Sequence, residues 1–177
     1  EMDKIKNLGG KHSLKVVEDA CQAHLSEWNV SKAGTLGDLG CLSLQNGKNI
    51  SCGEGGAVLG DDEKLMDICY SYHNFGRPHG KHMSREHGGH PILGTKCRMA
   101  EYQASILITQ MDSVEKETSI RSGNAAYLTE KLKDIPGIEP VGQYDQMTRT
   151  TYYYYGFRYK KEHYNDCPRS TYAKALR

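Results

Sequence analysis

The stretch "LSLQNGKNISCGEGG", residues 42–56, places one lysine, Lys48, between two segments that read as buried strand. Before it, "GCLSLQ" is small, apolar and alternating. After it, "GEGGAVLG" is a tight glycine turn that runs into another apolar stretch. Lysine is among the residues least often fully buried, and stripping water from its ammonium is costly unless the charge is paired or neutralised. A chain that puts one here is either closing a surface turn or using the amine.

Composition bounds the setting. A chain of 177 residues can form one domain of ordinary size with its own core. The 23 basic against 22 acidic residues point away from nucleic acid and from anionic membrane surfaces. Nothing reads as a signal peptide or as an apolar run long enough to span a bilayer. Cys21, Cys41, Cys52, Cys69, Cys97 and Cys167 form no CxxC and no regular framework, so reduced thiols in a cytoplasmic protein are expected. The chain opens at Glu1 inside an apparent helix, "EMDKIKNLGGKH", and stops inside another, "STYAKALR". Both ends predict a piece from the middle of a longer protein.

Working outward, "LKVVED" (14–19), residues 36–45 and residues 55–60 read as strands. "DDEKLMDICYSYHNFG" reads as a helix, with Leu65, Ile68 and Cys69 at helical spacing. Residues 76–97 form a Gly/His/Pro-rich loop, long enough to suggest a functional segment. From Arg98 to about Lys133 the pattern is helical. Met99, Tyr102, Gln103, Ile106, Leu107, Gln110, Met111 and Val114 make one stripe, read as core or dimer-facing packing. "DIPGIEP" breaks the pattern, and "TTYYYYGFRY" (150–159) reads as aromatic strand, opening a smaller α+β unit. Strands separated by helices predict an α/β architecture.

The chemistry-bearing residues converge. Asp19 closes the first strand, at the carboxyl edge where open α/β sheets bind ligands. Gln22 and His24 follow on the adjoining loop, Ser43 lies on the next strand, and Lys48 follows in the turn. An acid, an amide, a hydroxyl and an amine suit a cofactor with a basic ring nitrogen, a phenolic oxygen, an aldehyde and a phosphate. Pyridoxal phosphate is such a group. Taken singly, each residue also has a plainer reading. Lys48 serves as a solvated turn lysine, Asp19 as a helix N-cap, and Gln22 and Ser43 as satisfied polar groups. His73, His79, His82, His87 and His90 match no compact zinc pattern and read as a polar loop, so no metal site is expected.

"VVEDACQAH" (16–24), "GTLGDLGCLSLQNGKNISCGEGGAV" (34–58) and "LGTKCRMAEYQASILITQ" (93–110) resemble the DegT-type sugar aminotransferases. These are pyridoxal-phosphate enzymes of the aspartate aminotransferase fold. The flavour is closest to the glutamine-dependent keto-cyclitol (scyllo-inosose) aminotransferases and the aminohydroxybenzoate synthases. The pairing of ED-x-x-Q with a serine, a lysine five residues on and G-E-G-G five beyond that is specific, whereas GEGG alone is weak.

The resemblance implies that Lys48 forms the Schiff base and then acts as general base. It also implies that Asp19 pairs with the pyridinium nitrogen, Gln22 bonds the phenolate side and Ser43 reaches the phosphate. It implies that residues 1–115 belong to the cofactor-binding large domain of a mostly parallel sheet with flanking helices. Residues 116–177 would then be an interdomain helix and the start of the small domain. The implied substrates are a keto-sugar or keto-cyclitol and an amino-acid donor, and the implied full-length assembly is a homodimer. These residues alone are expected to be inactive. Lys96 stands where the family often has an asparagine that reaches a partner subunit's phosphate, so that contact is not carried over. The alternatives are a dehydratase of the aminohydroxybenzoate synthase kind and a cofactor-free regulatory homologue.

Overall fold

The structure is a computed structural model that describes residues 1–84 and 89–176. His87 of the histidine group lies outside these described residues. The site-bearing sheet has three strands in the order β1-β4-β5. Strand β1 (Val17–Asp19) runs parallel to β4 (Leu39–Ser43), with Asp19 opposite Cys41. Strand β5 (Gly56–Leu59) is antiparallel to β4, with Gly56 opposite Ser43. Between β1 and β4 the chain makes a small hairpin of β2 (Glu27–Trp28) and β3 (Ser31–Lys32). Helix α1 (Met2–Lys11) precedes the sheet.

All three strands are shorter than the pattern predicts, and carboxylates explain two of the boundaries. Lys15 Nζ and the Val16 N–H both donate to Asp38, each at 2.8 Å, which keeps 14–16 out of the ladder. The buried Glu18 carboxylate accepts from the backbone N–H groups of Gly34 at 2.9 Å, Leu36 at 2.5 Å and Gly37 at 2.7 Å. With those donors committed to Glu18, residues 36–38 form a turn and β4 begins at Leu39. A buried carboxylate is tolerated when backbone donors satisfy it.

Helix α2 (Glu63–His73) starts at Asp62, whose Oδ1 accepts from the Lys64 and Leu65 N–H groups, an N-cap that satisfies donors with no partner inside the helix. The single helix expected over 98–133 is two: α3 (Glu101–Met111) and α4 (Val114–Leu132). At the break the Ser113 N–H closes a tight bond to the Gln110 carbonyl at 3.1 Å, and the Ser113 hydroxyl donates to the Glu117 carboxylate, one turn into α4, at 2.8 Å. A serine whose backbone and side chain are both bonded locally in this way favours a helix break. Of the predicted stripe, Leu107 and Val114 reach the core with Leu44, Ile50 and Cys52. Tyr102, Ile106 and Met111 are exposed, as is Ile108.

The tyrosine run is a second correction. Only Phe157–Tyr159 is strand (β7), antiparallel to β6 (Ile138–Pro140). Residues 150–155 are irregular, because Thr151 is fully buried against Ser26, Oγ1 to Oγ at 2.9 Å, and Tyr152 turns at φ 48°. A short 3₁₀ turn (Lys161–Tyr164) and helix α5 (Arg169–Ala175) follow, with the rings of Tyr159, Tyr164 and Tyr172 stacked together. Among the described residues no helix is long and apolar enough to cross a membrane. All six cysteines are free thiols.

Candidate active site

Asp19 and Ser43 end up at the same edge because β1 and β4 are parallel and share a carboxyl end. Ser43 lies one period-two step beyond Cys41, the register partner of Asp19, and therefore on the same face. The Asp19 carboxylate is exposed and accepts from the Cys21 N–H at 3.1 Å. Hydrogen bonding from Cys21 holds it below the usual carboxylate range, with the Lys48 ammonium adding to the effect. Ser43 Oγ accepts from the Gln45 N–H at 3.3 Å, and the Ser43 carbonyl accepts from His24 Nε2 at 2.8 Å.

Lys48 sits on a loop whose base is laced together. Leu44 N–H bonds Gly55 O, Cys52 N–H bonds Leu44 O, and Asn46 N–H bonds Gly53 O. Gly53 adopts φ +91°, and a Cβ on Gly56 would lie 2.9 Å from Leu42 O. The glycines of the GEGG turn therefore serve turn geometry and close strand approach, as expected. From behind, Gln110 of α3 makes a two-point bond with the Ser51 backbone, accepting its N–H at 3.0 Å and donating to its carbonyl at 2.6 Å. Gln103 donates to Glu54 O at 2.6 Å. Ile50 is buried in the core beside Leu107. The loop is thus fixed on both sides while the half-buried Lys48 points out of it. Its Nζ lies 4.5 Å from the ring centroid of Tyr153, a cation–π distance. Among the described residues it has no carboxylate partner.

Tyr153 also walls a cavity of about 490 Å³ whose lining includes Gln22, Ser26, Trp28, Tyr144 and Tyr152. This cavity exists because residues 144–151 are tied across the β1–β3 region. Glu27 N–H bonds Arg149 O at 2.9 Å, Asn29 N–H bonds Gln146 O at 2.7 Å, and Thr151 bonds Ser26. Arg149 in turn forms a two-point ion pair with Glu115 at the start of α4.

Asp19, Ser43 and Lys48 come together at the sheet edge, and Gln22 faces the neighbouring cavity that Tyr153 shares. Lys96 is exposed and bridges Asn74 through the backbone. Three of the described loop histidines, His73, His79 and His82, have structural partners. His79 stacks on Tyr70 at 3.6 Å, His73 Nδ1 bonds Tyr70 O, and the His82 N–H donates to buried Asp67. Sequence reasoning did not foresee the roles of Glu18, Gln103, Gln110 or Tyr153. The two glutamines were visible as polar interruptions in an apolar stripe. Tyr153 carried no local signal, because its place is set by contacts more than a hundred residues away.

The donor set fits pyridoxal phosphate. An amine and an amide that have, among the described residues, no carboxylate partner and no hydrogen bond respectively, together with a carboxylate held ionised and a hydroxyl, stand at one carboxyl edge and the cavity beside it, which is sized for a small ring. The architecture is of the aminotransferase type. It matches a solved 3-amino-5-hydroxybenzoic acid synthase with a TM-score of 0.78 and 28% identity, covering 89% of this chain and 41% of that one. It matches E. coli GDP-4-keto-6-deoxy-D-mannose-3-dehydratase with bound hydrated pyridoxal phosphate at a TM-score of 0.83 and 23% identity. That match covers 98% of this chain and 46% of the dehydratase and speaks for the fold alone.

In sequence, the chain is 33% identical over 177 residues to a protein of Streptoalloteichus tenebrarius provisionally named an L-glutamine:3-amino-2,3-dideoxy-scyllo-inosose aminotransferase. Residues 1–176 match the DegT/DnrJ/EryC1/StrS aminotransferase family, and the chain belongs to that family. The alignment takes in 99% of this chain and 42% of the relative, so the chain spans about two fifths of the length of the curated relatives it matches.

Proposed function

We propose that the protein is a pyridoxal-phosphate-dependent aminotransferase that moves the amino group of glutamine or glutamate to the keto group of a sugar or cyclitol. The observation that carries this reading is the Lys48 amine, held on a doubly braced loop beside Tyr153 and within electrostatic reach of Asp19. When bound, the cofactor supplies an aldehyde that condenses with amines and a ring that takes up electrons. The chain's own groups do the rest. Lys48 Nζ would hold the cofactor and, once released, take the proton from the donor's α-carbon and return a proton to the acceptor. The Asp19 carboxylate, kept ionised by its Cys21 bonds, would hold a proton on the ring nitrogen. Gln22 would bond the ring oxygen and Ser43 Oγ the phosphate, while Tyr153 walls the substrate side. One lysine serving both half-reactions gives ping-pong kinetics.

The proposal includes the division into residues 1–115 of the large domain and 116–177 leading into the small one. It also includes a cytoplasmic homodimer, to which the exposed Tyr102, Ile106 and Met111 on α3 would contribute. A dehydratase of the aminohydroxybenzoate synthase kind is the second reading, favoured by the 28% identity to such a synthase. Incubating the protein as its gene encodes it with pyridoxal phosphate, glutamine and a keto-cyclitol separates the two. An aminocyclitol product supports transamination. Loss of water from the ring substrate without an amino product supports the dehydratase. No absorption band that stays with the protein once free cofactor is removed leaves only the cofactor-free homologue.

A further inference from the structure

Strand β1 ends two residues before the strand it pairs with. The Ala20 N–H still bonds the Cys41 carbonyl at 2.9 Å, and the next rung of a parallel ladder would join Gln22 N–H to the Ser43 carbonyl. The chain instead turns away, with Ala23 N–H closing on Ala20 O at 3.0 Å. The Ser43 carbonyl is satisfied by a side chain, His24 Nε2 at 2.8 Å. His24 is only 4% exposed, and its Nδ1 is buried without a partner among the described residues.

We propose that His24 is a positioning residue, a ring with its proton on Nε2 that supplies the missing rung between β1 and β4 and thereby sets the spacing of Asp19 and Gln22 against Ser43. A carbonyl oxygen only accepts, so Nε2 must carry the hydrogen. In a neutral imidazole that leaves Nδ1 as the bare acceptor. Burial favours the neutral ring, and the Lys48 and Arg121 cations reinforce it. A continued backbone rung would keep Gln22 in the strand. The histidine lets the strand stop, so that Gln22 enters the cavity while β4 runs on to Ser43 and the lysine loop. An unpaired buried acceptor is costly, so the imidazole is held for the reach of its other nitrogen.

This inference rests on the cofactor reading above, and its test has two arms. In the first, ring nitrogen NMR of the cofactor-free protein at neutral pH reads the tautomer. The expected result is a protonated Nε2 and an unprotonated Nδ1; a proton on Nδ1 overturns the proposal. In the second, H24Q and H24N are titrated with pyridoxal phosphate by absorbance. The glutamine amide nitrogen reaches the Nε2 position, and the asparagine amide does not. H24Q should bind within about twofold of the parent, and H24N about tenfold more weakly. Equal affinity of the two variants overturns the proposal, as does parental affinity in H24N. If neither variant folds, the tautomer decides. K48A is carried alongside. A borohydride-fixed adduct that persists in K48A defeats the cofactor reading itself, whereas equal H24Q and H24N with a lost K48A adduct defeats only the role of His24.

Discussion

At the sheet edge, Asp19, Ser43 and Lys48 take their places from strand register and a glycine-closed loop, whereas Tyr152 and Tyr153 take theirs from bonds to residues far back in the chain. The first region is a set of chemically distinct groups held by nearby backbone. The second is a wall of similar rings held by Ser26–Thr151, Glu27–Arg149 and Asn29–Gln146. Substitutions at the edge should therefore change chemistry with little loss of fold. Substitutions in the wall's anchors should change the cavity's shape and the stability together.

The largest expected effect is at the edge. K48A should lower amino transfer by about three orders of magnitude or more, because under the proposed function one amine would both hold the cofactor and move the proton. Turnover under saturating cofactor is the measurement, and parental activity in K48A would end the comparison. D19N comes next. It should fold, still take up cofactor, and lose about a hundredfold or more in rate, since a neutral amide cannot stabilise a protonated ring nitrogen. A destabilised D19N that keeps the parental cofactor spectrum and the parental rate would make Asp19 merely structural.

In the wall, T151V removes a hydroxyl from a fully buried position and leaves Ser26 Oγ without its partner. A loss of about 1–3 kcal/mol is expected, read by denaturant unfolding. KM for the keto substrate should rise more than kcat falls. Adding S26A should recover part of the loss, because both partners are then apolar. Non-recovery would mean that the clamp is not this bond.

The smallest effect concerns pH. His24 has its pKa lowered from 6.5 in the fold, chiefly by burial. The unfolded chain therefore binds this proton more readily than the folded one. The stability tied to His24 is full above about pH 6.5 and is lost as pH falls towards the depressed folded value. Melting curves between pH 5 and 8 should show an acid-side slope that H24Q, which lacks the titrating ring, reduces. An identical slope in H24Q would assign the acid lability to other groups.

The two regions also differ in how far the chain's own pattern reveals them. The strand–turn–lysine–glycine–strand order was readable because each feature depends on neighbours within a few residues: alternation in β4, the left-handed Gly53, the acid at the end of β1. Strand ends were misplaced where a distant carboxylate claimed the backbone, as Glu18 does with Leu36 and Gly37. The helix break at Ser113 depended on a serine bonded locally to Gln110 and Glu117, which a stripe of apolar residues hides. The tyrosine run has the β-branched and aromatic content of a strand. Its conformation is nevertheless decided by Ser26, 125 residues upstream of Thr151.

Everything proposed for the sheet edge turns on Lys48 as the amine that would hold the cofactor. The direct measurement is to incubate the protein with pyridoxal phosphate, reduce with borohydride, digest it and locate the modified peptide by mass spectrometry. A single stoichiometric adduct on Lys48, within the peptide that carries the GEGG turn, is expected. An adduct spread over surface lysines such as Lys15, Lys64 and Lys96, or absent from Lys48, would contradict it.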